Sequence, residues 1–235
     1  MYARIFFLSL FLIVSTSCQN EIIDIIQPSN DDVLKAGTNV TKLIQRVVTK
    51  DGSKDNIIDH ANCITIQLPI TVVVNGIELI IKTEKDYELI ESIFDESDVD
   101  VDTLKIIFPI KIILSNYTKI EVKNDDELKI FTDECKGENE VDDDVECIDF
   151  IYPITLSIYD SANQLAKTLS IGNDEQFYKF IDNIKDFNIV QINFPIMIVL
   201  YDGTKKIINN MNTLEDVIEG AKDVCDEDDD NDFDD

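Results

Sequence analysis

Four copies of one short pattern limit the possible folds of this chain more than any other feature. Each copy has a proline that follows a leucine or an aromatic residue and precedes an isoleucine, and neighbouring prolines stand 40 to 44 residues apart. Four matches with the same flanking pattern indicate an internal structural repeat rather than chance. The copies lie at residues 66–70, 106–110, 150–154 and 192–196.

Apolar residues recur at every second position around each proline, as at Ile64, Ile66, Leu68, Ile70 and Val72. A period of two over about eleven residues predicts a long β-strand with one buried face. The prolines occupy the opposite parity, and proline cannot donate a hydrogen bond to a sheet ladder. We therefore expect each proline at a sheet edge or at a bulge that bends the strand.

A turn, a shorter second strand and a helix complete each unit. Asn124 and Asn173 each stand three residues before a Glu or Gln, which is the sequence sign of a capped helix start. The first and fourth units carry weaker signs, at Thr83 and at Asn212 or Thr213. One unit has too little core to fold alone. The sequence therefore predicts an α+β fold of two similar two-layer domains, each with a strand-strand-helix unit repeated twice and an antiparallel sheet with helices on one face.

Four cysteines bracket the units in pairs. Cys63 and Cys147 stand six residues before the prolines of units one and three, and Cys135 and Cys225 follow the helices of units two and four. An exported protein meets an oxidising compartment, where disulfides form. The repeated placement favours the pairs Cys63–Cys135 and Cys147–Cys225, and Cys135–Cys147 is the alternative.

These brackets also predict the domain organisation. The stretch 40–48 is expected to form a short helix or strand against the first domain. The predicted parts are a signal peptide (1–17), a lipidated N-terminus and tether (18–56), a first repeat-pair domain (57–136), an acidic linker (137–146), a second repeat-pair domain (147–225) and an acidic, disordered tail (226–235).

The N-terminus is typical of a targeting segment. A charged start at Arg4 precedes an apolar run of about ten residues, half of the ~20 that span a bilayer as a helix, which disfavours a transmembrane anchor. Small residues ending at Cys18 are similar to the lipobox of bacterial lipoproteins, which implies a lipid on Cys18 that holds the protein to a bilayer. Ser15 stands where that motif usually has leucine, so cleavage without lipidation is the alternative.

Composition narrows the partners and the chemistry. With 48 acidic against 20 basic residues, the formal charge of −28 repels phosphate backbones, so we expect no nucleic-acid partner. The single histidine, His60, and the absence of a phosphate-binding glycine loop disfavour an enzyme. The competing hypothesis is an envelope enzyme that uses scattered carboxylates, with glycans as one candidate class of substrate.

Acidic clusters are the only sequence features that resemble a metal site. Calcium takes many oxygen ligands, but blocks of like charge are normally solvated, and the tail lacks the glycine and distal glutamate of an EF-hand. We therefore expect no obligatory cofactor and name calcium as the one candidate. Oxygen-bearing residues also alternate from Asp51 to Asp59, with Asn56 where an EF-hand has glycine. The candidate ligands in the tail are Asp226, Asp228, Asp230 and Asp232.

The outward faces of the predicted sheets mix polar and apolar residues. Either the two domains pack on these faces, or the faces form an exposed platform for a protein or glycan partner. The residues concerned are Thr65, Gln67, Thr71, Lys105, Ile107, Lys111, Ile113, Ile151, Thr155, Ser157 and Val199.

The stretch 51–59, the following Cys63 and the Phe-Pro-Ile units resemble uncharacterised lipoproteins of the Bacteroidota. The resemblance covers most of the chain after the targeting segment and implies a cell-envelope location, lipid-anchored at the outer membrane or cell surface, without implying an activity. The sequence therefore predicts a membrane-anchored envelope protein that acts as a binding or structural display scaffold.

Overall fold

The computed structural model describes residues 32–96, 101–133, 135, 144–187 and 189–222. Within them, six α-helices and thirteen strands in antiparallel sheets confirm the predicted α+β class. The buried apolar side chains form two separate cores. We call the part around the core of residues 57–135 the first domain, and the part around the core of residues 34–48 and 145–218 the second domain.

After β1 (Val33–Leu34), α1 (Asn39–Val47) and α2 (Asn56–Asp59), the elements follow one another in two runs that repeat the same order. The N-terminal run contains β2 (Ile64–Ile66), β3 (Ile70–Val74), β4 (Ile77–Ile81), α3 (Tyr87–Phe94), β5 (Leu104–Ile106), β6 (Ile110–Leu114), β7 (Lys119–Val122) and α4 (Asp125–Thr132). The C-terminal run contains β8 (Ile148–Ile151), β9 (Ile154–Tyr159), β10 (Leu165–Ile171), α5 (Asp174–Asp182), β11 (Ile189–Ile192), β12 (Ile196–Leu200), β13 (Lys205–Ile208) and α6 (Met211–Ala221).

Each predicted long strand is in fact two strands that separate at the repeat proline, whose peptide bond is cis in all four units. The two halves join different sheets: β2 pairs with β6, whereas β3 pairs with β5. The first domain therefore has two three-stranded sheets, β2–β6–β7 and β4–β3–β5, instead of one four-stranded sheet. The second domain repeats this arrangement with β8–β12–β13 and β11–β9–β10. Proline interrupts the ladder because it lacks a backbone N–H.

Residues 33–48 belong to the second domain, so the expectation that the stretch 40–48 lies against the first domain is wrong. β1 pairs antiparallel with β11, and α1 follows it. The buried side chains of α1 recur at helical spacing, and this apolar stripe lies in the same core as α5 and α6. Val145 of the predicted linker is also buried in this core. The chain thus returns to the second domain before Cys147.

Asparagine side chains start three of the helices. Asn124 and Asn173 accept hydrogen bonds from the backbone N–H three residues later, as predicted. Thr83 forms the predicted capping box with Asp86. The cap of α6 is Asn210 rather than Asn212 or Thr213, because α6 begins at Met211.

The disulfide Cys63–Cys135 closes the first domain, as predicted, and joins residues 72 apart in sequence. It excludes the alternative pair Cys135–Cys147. Cys147 is also disulfide-bonded, and its predicted partner Cys225 lies outside the described residues.

Candidate functional site

The first domain has a groove of about 410 Å³ beside the repeat prolines Pro69 and Pro109. This volume is within the range of small-ligand sites in proteins. The groove lies on the outward faces of the two sheets, where two rows of side chains cross the strands. The first row consists of Ile107, directly after β5, Thr71 on β3 and Ile80 on β4. The second row consists of Gln67, directly after β2, Lys111 on β6 and Glu121 on β7.

Apolar side chains in this groove, here called the proline groove, face solvent. Ile80 is 58% exposed and Ile107 is 48% exposed. Thr71 separates them, since its backbone pairs with Ile80 in the ladder and accepts the N–H of Ile107 at 2.9 Å. The row therefore has two aliphatic side chains on either side of a hydroxyl.

A buried acceptor in the groove lacks a hydrogen-bond partner. Gln67 donates its backbone N–H to the carbonyl of Lys111 at 2.7 Å, which fixes the residue in the sheet. Its side-chain Oε1 is inaccessible to solvent and accepts no hydrogen bond. An unsatisfied buried amide oxygen costs about 1–3 kcal/mol of stability.

The second domain arranges different side chains on the corresponding surface: it exposes Met197 and Ile207 where the first domain has Lys111 and Glu121, and it is polar where the first domain exposes isoleucines. Asn193 is the counterpart of Ile107, since each residue precedes its repeat proline by two positions. The Asn193 amide oxygen accepts a hydrogen bond from the Ser157 hydroxyl at 2.8 Å, and Ser157 is buried. The first domain has Val73 in place of Ser157 and cannot make this bond. Likewise Ser170, opposite Thr155 in the ladder, stands where the first domain exposes Ile80.

Contacts between the two domains lie away from the proline groove. The Lys50 N–H donates to the Ser115 carbonyl at 2.9 Å, and the Tyr117 hydroxyl donates to the Val48 carbonyl at 3.0 Å. These contacts involve the turn after β6 and the segment after α1. Of the two roles considered for the outward faces, exposure is thus the one that the proline groove shows.

A cluster of polar side chains is buried inside the first domain, on α2 and at the residue before it. Asp55 is fully buried, and Asp59 and Asn56 are nearly so. One Asp55 oxygen accepts the Ile66 N–H, and one Asp59 oxygen accepts the Ala61 N–H at 3.3 Å. The second oxygen of each carboxyl and the Asn56 Oδ1 accept no hydrogen bond.

Burial of this pair changes its protonation. Desolvation raises the pKa of Asp55 to about 7, against partial lowering by the Ile66 N–H and by the charge of Lys50. Desolvation, with the neighbouring charge of Asp55, raises the pKa of Asp59 well above its usual range. We interpret the cluster as a structural pair of carboxyls that keep protons at pH values where exposed aspartates are ionised.

The remaining predicted site residues fall into two groups. Asp51 belongs to a local turn rather than to an EF-hand, because its carboxylate accepts the backbone N–H and the hydroxyl of Ser53. In the described part of the chain, no group of three or more His, Cys, Asp or Glu is arranged to hold a metal ion, and no helix there has the length and apolarity to cross a membrane. Cys18, the signal peptide and the tail ligands Asp226, Asp228, Asp230 and Asp232 lie outside the described residues.

Comparisons with protein-family models, with curated proteins and with solved structures find no match to this chain.

Proposed function

We propose that this chain is a lipid-anchored scaffold of the cell envelope whose first domain binds a segment of a partner polypeptide in the proline groove. The observation that carries the proposal is the contrast between the domains. The first domain exposes Ile80 and Ile107, whereas the second domain has Ser170 and a hydrogen-bonded Asn193 at the positions of these two isoleucines and exposes Met197 and Ile207 in the neighbouring row instead.

The chemistry of the groove favours a polypeptide over a glycan. Its exposed walls are aliphatic, and the residues that line it include no aromatic ring on which a sugar could stack. Aliphatic walls with a few polar groups are instead suited to apolar side chains and to backbone N–H donors. Thr71 and Lys111 offer such hydrogen-bonding groups beside the exposed isoleucines.

Peptide selection tests the groove. Random twelve-residue peptides displayed on phage would be selected on the lipid-free mature chain (Cys18→Ser), and the affinities of synthetic copies measured by calorimetry. We expect Ile80→Ser and Ile107→Asn, which install the residues of the second domain, to weaken binding at least tenfold each. Ile207→Ser, at an exposed isoleucine of the second domain, is the matched control and should leave the affinity unchanged. Peptides insensitive to both groove variants, or selective binding of glycans on an array, would contradict the proposal.

Metabolic labelling tests the anchor separately. Cells that express the chain with a labelled fatty acid should incorporate the label into the wild type and lose it with Cys18→Ala. Cys147→Ala is the control, because this cysteine is disulfide-bonded and should not affect labelling. Equal labelling of the wild type and Cys18→Ala would refute lipidation at Cys18.

A further inference from the structure

The chain covers one sheet edge of its second domain with its own N-terminal strand. β1 lies antiparallel to β11, with Leu34 opposite Val190 and Val33 opposite Gln191. Leu34 is 3% exposed and is part of the second core. β11 is therefore enclosed between β9 and β1.

β5 is the counterpart of β11 in the first domain, since Leu104 and Val190 each lie five residues before their repeat proline. β5 pairs with β3 on one side, and it is the last strand of its sheet among the residues that the structure describes. Within the described residues, the edge that β1 covers in the second domain therefore has no strand beside it in the first.

The free edge presents backbone groups in a regular order. The Ile107 N–H donates to the Thr71 carbonyl across the β5–β3 ladder. Backbone groups of successive residues in an antiparallel strand face opposite sides, so the N–H and C=O of Leu104 and Ile106 point away from β3. In β11 the residue at the position of Leu104 is Val190, the one opposite Leu34.

The side chains of the covered strand β11 are more deeply buried than those of β5. Val190 and Ile192 of β11 are 1% and 3% exposed. Their counterparts Leu104 and Ile106 are only partly buried, although they pack against the core of the first domain. A strand beside β5 would therefore pair unused backbone groups and remove apolar surface from water in one step.

We propose that the bound polypeptide completes the first domain as an added strand on β5, in the place that β1 takes on β11. This proposal rests on the proposed function and specifies how the partner binds. Ile107 directly follows β5 and lines the proline groove, so a segment paired along β5 passes beside that groove. Strand addition supplies the affinity through main-chain hydrogen bonds, and the groove supplies selectivity through side chains.

The template β1 and the charge of the chain define the partner. The segment is extended, carries an apolar side chain opposite Leu104, as Leu34 is opposite Val190, and lacks proline at the positions that face β5. It carries no net negative charge, since a chain of formal charge −28 repels acidic segments. The same repulsion disfavours a second copy as the occupant, and the β1 of any copy already pairs with its own β11.

Strand pairing can be tested by changing the backbone of the peptide ligand, because such changes leave the protein itself unaltered. In peptides selected as above, the N–H of one residue at a time would be replaced by N–CH₃. We expect at least a tenfold loss of affinity at alternate positions, where the N–H donates to β5, and little change at the positions between them. On the protein, Ile106→Pro removes an outward N–H and should weaken binding at least tenfold. Lys119→Pro, on the outer edge of β7, is the control and should not.

Three results would overturn the proposal of a foreign strand on β5. Peptides that tolerate every N-methyl group but lose affinity with Ile107→Asn would bind in the groove without pairing, and the proposed function would stand alone. Failure to obtain any binding peptide would refute both proposals. Self-association in sedimentation that Ile106→Pro abolishes would identify a second copy as the partner and refute the foreign segment.

Discussion

At the scale of single residues, the two domains differ by a few substitutions with large local consequences. The amide oxygen of Asn193 accepts a hydrogen bond from the Ser157 hydroxyl, whereas the amide oxygen of Gln67 accepts none. Sequence parity places Gln67 on an outward face, but parity cannot show which outward amides find partners. Whether an amide finds a partner depends on the residue beside it in the neighbouring strand. The two strands on either side of each repeat proline join different sheets, and this decides which residue lies there.

The carboxyls of Asp55 and Asp59 give a prediction about pH. Their folded pKa values are raised above the unfolded value near 3.8, so the folded state holds protons that the unfolded chain releases. The stability that they contribute is therefore fully present below pH 3.8 and is lost as the pH rises toward 7, the folded pKa of Asp55. For Asp55 alone, the change amounts to something on the order of 4 kcal/mol.

Asp59→Asn should flatten this dependence. The amide keeps an acceptor for the Ala61 N–H and stays uncharged, so we expect urea unfolding to show a smaller loss of stability between pH 4.5 and pH 8 than in the wild type. Asp86→Asn is a control of opposite sign, since hydrogen bonds from the N–H groups of Lys82 and Thr83 lower the pKa of Asp86. The stability from Asp86 is present at neutral pH and is lost on acidification. A wild-type profile that Asp59→Asn leaves unchanged would show that the pair is not protonated as we infer.

At the scale of elements, periodicity predicts where strands and helices lie but not which partner each strand takes. The alternation around Pro69 continues unbroken through β2 and β3, so the sequence indicates one long strand. The buried parity survives the break, since both halves face the same core. Only the pairing reveals that β2 and β3 belong to different sheets.

The placement of α1 had no sequence signal that identified its partner. Its apolar stripe shows that one face is buried, and the nearest unit in sequence is in the first domain. The strand β1 overrides sequence proximity, because its pairing with β11 brings α1 to the second domain.

Truncation inside α1 tests this assignment. Ile44 is fully buried in the second core, so Ile44→Ala should lower the unfolding free energy of the second domain by about 2–5 kcal/mol. Scanning calorimetry should show a shift of one transition, with the transition of the first domain unmoved. Lys42→Ala, at an exposed position of the same helix, is the control. A shift of the first domain's transition instead would show that α1 packs in the core of the first domain and would contradict this assignment.

At the scale of the whole molecule, covalent closure stabilises a small domain with a modest core. Cys63–Cys135 closes a loop of 72 residues around the first domain. In the chain-entropy account, a loop of this length contributes about 4 kcal/mol, which is much of the stability of a typical small domain.

The double variant Cys63→Ser/Cys135→Ser should therefore lower the unfolding free energy of the first domain by about 4 kcal/mol. The measurement is denaturant unfolding followed in both domains, with the disulfide of Cys147 left intact. An unchanged midpoint for the first domain would mean that the bridge contributes little to its stability.

Our central claim is that the two similar domains differ at one sheet edge. β1 covers the edge of β11, whereas the outer edge of β5 has no strand beside it among the described residues and is where we propose that the partner binds. Amide hydrogen exchange on the free protein tests this most directly, because Leu104 and Val190 occupy the same repeat position with the same inner ladder. We predict that the Val190 amide exchanges slowly, protected by Leu34, and that the Leu104 amide exchanges at least tenfold faster. Equal and strong protection of both amides would contradict the account.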